Sequence, residues 1–341
     1  MNNNPIIKIQ IIDFQWEMEN PFIFCAHHQD RYPAGNKNQG IDRSKLQGRD
    51  IGNDFKVKDG FRMYHGQEVP GFPVHPHRGF ETVTIVTEGF VDHFDSLGAR
   101  GRYGQGDVQW MTAGQGCQHA EMFPLVHDNE PNPLQLFQIW LNLSQKKKFV
   151  NPAYKMLWHE DIPVVDEVSA DGKKTAVTII AGQWNGNAAV TPTPDSWAAD
   201  PANKVGIFLI RIEAGSTLKI PAISATANRN LYFYQGGSIQ IAGQEIAGSN
   251  RIKLAADQDI KVENGNSDSY LLLLEAEPIN EPVVQYGPFV MNTSQEIQEA
   301  FADYRRTQFG GWPYEQEIPV NDRNSPRFAH YADGTEEIRE G

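Results

Sequence analysis

Apolar residues at every second position, as in Phe137, Ile139, Leu141 and Leu143, most constrain how this chain folds. Only an extended strand puts alternate residues on one face. Comparable short runs recur at 82–87, 134–143, 175–181, 205–212, 231–234 and 270–275. Clusters of Gly, Asn, Asp and Pro separate them, with 30 Gly and 21 Pro in the chain to supply turns. Many short strands with frequent turns predict a mainly β fold built as sandwiches or barrels.

A chain of 341 residues suffices for two domains, each with its own core. The stretch 151–161 reads as a connection between β-rich halves. The expected division is therefore a first barrel over 1–150, a second over 151–290 and a tail over 291–341. The tail holds the clearest helix. Thr293 and Glu296 form a capping box, Ile297, Ala300, Phe301 and Tyr304 share a face, and Gly310, Gly311 and Pro313 stop the helix. Residues 27–60 are polar and Gly-rich and read as a long loop excursion from the first barrel. A second loop-like zone, 183–203, carries Pro192, Pro194 and Pro201.

A formal charge of −13 argues against direct nucleic-acid binding, which needs a basic surface. Two cysteines, Cys25 and Cys117, make no disulfide framework, although a single bridge stays open. Residues 1–10 show no signal peptide, and no apolar run reaches the length of a membrane span. The expectation is a cytoplasmic protein without a membrane partner.

Two segments carry the chemistry. The first runs from Gly71 through His75, His77 and Glu81; the second from Gly106 through Gly114 to His119 and Glu121. Residues two apart on a strand point the same way, so His75 aims with His77 and His119 with Glu121. On neighbouring strands of one barrel, three imidazoles and a carboxylate would converge on a single cation. Iron(II) is the first choice for such donors; nickel, copper, manganese and zinc stay open. Without an ion, a buried carboxylate among three buried histidines would be costly. Glu81 has ligand parity on an unbulged strand, as a fifth donor or as an acceptor fixing an imidazole; pairing with Arg78 or a backbone amide is the alternative. Cys117 shares the parity of His119 and reads as a packed residue, and His93 as the organiser of a hairpin.

At these segments the sequence resembles the pirin family of the cupin superfamily. HPHRGFETVTIV is similar to the family's first cupin motif, GDVQWMTAGQGCQHAEMF to its second, and EPVVQYGPFVMNTSQEIQEAFADYRRTQFGGWPY to its end. The resemblance implies a bicupin of two jelly-roll β-barrels with a C-terminal helix. It further implies iron held in the first barrel by His75, His77, His119 and Glu121, and a second barrel that has lost its metal. His27, His28 and Asp30 depart from the family pattern and are expected in a solvated loop rather than over the pocket.

Two functions follow as expectations. One is a dioxygenase acting on flavonols such as quercetin, with Glu121 as ligand and general base and with Phe80, Trp110 and Met122 available to line a pocket for a flat aromatic substrate. The other is a non-enzymatic, metal-containing regulator that binds a protein partner. A cupin isomerase or a vestigial site ranks third.

Overall fold

The computed structural model describes residues 4–13, 15–169 and 172–340. The fold is mainly β, and all six runs read from the sequence match strands to within one residue: Phe80–Glu88, Asn132–Asn142, Lys174–Ala181, Gly206–Ile212, Asn228–Gln235 and Ser269–Ala276. Among the described residues no helix is long and apolar enough to cross a membrane. Both cysteines are buried and free, so the open question of a bridge closes against it.

The strands gather into two compact units that do not follow the linear order of the chain. One comprises Met1–Cys25 and Glu160–Asn280, the other Ala26–His159 and Glu281–Gly341. Backbone pairing explains the interlacing, because a strand joins whichever sheet offers it a free edge. Ile6–Ile11 pairs antiparallel with Asn250–Leu254, while Arg327–His330 pairs antiparallel with Arg100–Gly104.

The unit containing Glu160–Asn280 has a seven-stranded and a four-stranded sheet. Its hydrophobic core joins Val177, Ile210, Leu231, Leu271 and Leu273 from one sheet to Leu218, Ile241 and Val262 from the other. It contains none of the chain's ten histidines.

The unit containing Ala26–His159 holds the site. Its five-stranded sheet runs in the order Ala153–Leu157, Val108–Thr112, Phe80–Glu88, Asn132–Asn142, Phe22–Tyr32. Its six-stranded sheet runs Glu336–Arg339, Arg327–His330, Arg100–Gly104, Phe90–Asp95, Cys117–Met122, Gly71–His77. The second sheet is antiparallel throughout.

The excursion expected over 27–60 begins instead as strand, since Phe22–Tyr32 includes His27, His28 and Asp30. His28 and Asp30 are buried, not solvated. Asp30 accepts from Arg62 Nε at 3.0 Å and from the Tyr64 hydroxyl at 2.6 Å, and His28 packs edge-on to Tyr64. Polar residues that are buried because they are paired conceal a strand's alternation.

The C-terminal helix spans Ser294–Thr307, and both halves of its capping box form. Ile297, Ala300, Phe301 and Tyr304 pack with Phe289 and Met291. Thr293→Ala is expected to cost about 1 kcal/mol in denaturant unfolding, since it orphans the Glu296 amide; an unchanged midpoint would remove the cap from the account.

Candidate metal centre

The two histidine-bearing strands are hydrogen-bonded neighbours. His75 lies opposite His119 and His77 opposite Cys117, with a bulge between Phe72 and His75. The turn after His77 needs Gly79, whose φ is +86° and where a Cβ would meet the Val290 carbonyl oxygen at 2.0 Å. Lys148, fully buried, clamps this turn by donating to the carbonyls of Gly79 and Val290 and to Asn142 Oδ1, at 2.8, 3.0 and 2.8 Å. Arg78 donates to Asp303 at 3.0 Å.

Three of the four expected residues meet at one point. His75, His77 and His119 each offer a ligand atom within 4.8 Å of the others, a set that could hold a metal ion. Their ring centroids stand 4.5 to 4.9 Å apart. His75 Nδ1 bonds the Pro73 carbonyl at 2.8 Å and His77 Nδ1 the Pro288 carbonyl at 3.3 Å, which fixes both rings and leaves each Nε2 unspent. Neither ring nitrogen of buried His119 has a hydrogen-bond partner. Burial holds all three imidazoles neutral: His75 drops to about 4, and His77 and His119 fall well below the usual histidine range, with repulsion from neighbouring histidines adding to the effect. Neutral imidazoles, one without any partner, fit a borderline divalent cation.

Glu121 stands at the edge of this group, with Oε2 3.6 Å from His119 Nε2. Gln138 Nε2 donates to Oε2 at 2.6 Å, and Thr84 Oγ1 to Oε1 at 3.1 Å. Burial pushes the Glu121 carboxyl above its ordinary value, against the pull of those bonds; a cation beside it would act in the opposite sense.

Other expected residues lie elsewhere. Glu81 occupies the opposite face of its strand from Thr82 and Thr84, and accepts from Trp110 Nε1 at 3.0 Å and Thr112 Oγ1 at 2.8 Å. It joins neither the histidines nor Arg78, because the Arg78–Gly79 turn resets the parity. Trp110 is thereby committed to Glu81, and Met122 falls on the far side of its strand from His119 and Glu121. Cys117 is a packed residue as expected, clustered with Met111 and Ala113, and burial raises its thiol.

Phe80 does face the centre, 4.9 Å from the His77 ring. Trp140, absent from the sequence reading, completes that wall at 5.3 Å from His77 and 4.3 Å from Phe80. His93 was also underrated. It pairs across strands with Glu121, its ring is 5.6 Å from His119, and Asp95 and Gln109 engage its two nitrogens. The signal for these residues lay in the non-apolar positions of predicted strands, since Thr84, Gln138 and Trp140 alternate with the apolar series.

Two cupin-type barrels, one of which brings three imidazoles together, define a bicupin. The pirin model matches residues 11–141, and the pirin C-terminal cupin domain matches residues 207–310. The chain belongs to the pirin family. A pirin-like protein of Solanum lycopersicum is 37% identical over 272 residues, covering 78% of this chain and 84% of its own. A Pseudomonas aeruginosa protein provisionally named a quercetin 2,3-dioxygenase is 37% identical over 240 residues, covering 70% and 79%. The crystal structure of a quercetin 2,3-dioxygenase from Acinetobacter baumannii superposes with a TM-score of 0.70 at 24% identity, covering 90% of this chain and 99% of that one, a likeness of fold.

Proposed function

We propose that His75, His77, His119 and Glu121 hold a divalent ion, Fe(II) in first place, and that the loaded barrel is a flavonol 2,3-dioxygenase of the quercetin type. The observation that carries this reading is the buried His119 ring, which has no hydrogen-bond partner and faces two further imidazoles. When bound, the ion supplies Lewis acidity toward an enolate oxygen and the redox chemistry that dioxygen addition requires. Glu121 takes the substrate's 3-hydroxyl proton, because a carboxylate beside a dication is well placed as a general base. Gln138 and Thr84 orient the carboxylate for the transfer. Phe80 and Trp140 offer a flat aromatic wall beside His77 against which a planar ring system can lie. The name carried by the Pseudomonas aeruginosa relative supports the substrate class.

The test is turnover. Protein loaded separately with iron, nickel, copper, manganese and zinc is incubated with quercetin in air, following loss of its visible absorbance and release of carbon monoxide. Metal-dependent turnover lost in His77→Ala supports the proposal. Gln138→Leu, which frees one Glu121 oxygen, is expected to lower metal affinity or activity about 10- to 100-fold. Absence of turnover across several flavonols and all five metals, with stoichiometric capture of a protein partner, would replace the enzyme by the regulatory reading.

A further inference from the structure

The loop zone 183–203, with its three prolines, plays no part in the metal barrel. In the Glu160–Asn280 unit it closes a cavity of about 390 Å³ over the ends of three strands. That volume is within the range of small-molecule sites, roughly 300–1,000 Å³. The loop lines it with Ala189, Val190 and Pro192 as well as Gln183, Thr191 and Asp200, and Phe208 lines it from the strands.

Glu275 is the buried polar group of the lining, at 5% exposure. Its Oε2 accepts from Arg229 Nε at 2.7 Å, which leaves Oε1 open to a further donor. Gly206 makes the room beside it: a Cβ there would lie 2.8 Å from Glu275 Cγ and 2.4 Å from the Phe208 ring. A carboxylate oxygen that keeps solvent contact beside a largely apolar lining is an accessible acceptor for a ligand's hydroxyl.

We infer that this cavity binds a neutral, compact, ring-bearing alcohol or phenol whose hydroxyl donates to Glu275 Oε1. Charge selects against the alternatives. A cation would crowd the Arg229 guanidinium already at Glu275, and an anion would face both Glu275 and the lining Asp200. Lys204, also in the lining, is occupied by the Ile223 carbonyl at 3.2 Å and Glu277 at 3.5 Å.

The probe is para-ethylphenol, titrated calorimetrically into the metal-free full-length chain. Because a phenol could also enter the histidine barrel, the titration is repeated in His77→Ala, where binding is expected to persist unchanged. The shape-matched para-ethylanisole, which lacks the donor, is expected to bind about ten-fold more weakly, with para-ethylbenzoate and para-methylbenzylammonium weaker still. Ala198→Phe and Val190→Phe fill the space from separate positions on the loop and are expected to abolish binding at an unchanged melting temperature. Intermolecular NOEs from the ethyl group to Ala189 and Phe208 locate the ligand without any substitution. No saturable binding, NOEs to other residues, undiminished binding in both filled variants, or preference for the acid or the ammonium would each overturn the inference.

Discussion

Protein carrying His119→Ala is expected to emerge from chelation and iron reloading with no stoichiometric metal, while its melting temperature in chelator stays near that of the parent. His119 is the central donor of the cluster, opposite His75 on the neighbouring strand and 4.9 Å from the His77 ring. Removing a hydrogen-bonding support around a metal ligand already costs about 10- to 100-fold in affinity, so loss of the ligand should exceed that. In the metal-free chain the same substitution deletes two buried nitrogens that have no partner, which removes a desolvation burden. The two effects have opposite sign. Elemental analysis paired with thermal unfolding separates them; full metal occupancy in His119→Ala would show that the imidazoles meet for another reason.

The largest loss of stability is expected from Asp92→Ala. Asp92 and Arg102 are buried and form a two-pronged pair, Nε to Oδ1 at 2.7 Å and Nη2 to Oδ2 at 2.8 Å. Asn321 N also donates to Asp92 Oδ2 at 2.8 Å, and Arg102 reaches the carbonyls of Asp322 and Arg323 at 3.0 Å. The alanine variant leaves a guanidinium buried without its carboxylate, which costs about 3–5 kcal/mol. It also releases the anchorage of the segment leading to Arg327–His330, the strand that extends the six-stranded sheet. Urea unfolding of the histidine-bearing unit measures the loss; a change below about 1 kcal/mol would mean that water enters to solvate Arg102.

Much of this architecture was legible in the residues. Period-two runs located strands in both barrels, and Thr293 with Glu296 marked the helix start, because each signal is local. The convergence of His75, His77 and His119 followed from parity plus the assumption that their strands are neighbours, which the register bears out. Glu81 was misplaced because parity does not survive the turn at Gly79. His28 and Asp30 were read as solvated because a buried polar residue resembles an exposed one until its partner is known, and here the partners, Tyr64 and Arg62, lie over 30 residues away. Gln138 and Trp140 were passed over for a related reason. The non-apolar face of a strand usually meets solvent, but in this barrel it meets the interior.

The interlaced chain ends bear on when the metal centre can mature. The carbonyl that fixes the His77 ring belongs to Pro288, and one that receives Lys148 belongs to Val290, both of which follow residues 160–280 of the other barrel in the order of synthesis. A nascent polypeptide that has exposed all three histidines still lacks the piece that orients one of them. On the proposed metal-binding reading, full alignment of the trio is therefore deferred until the other barrel has been synthesised, and a ribosome-stalled chain ending before Pro288 should present its imidazoles without that restraint.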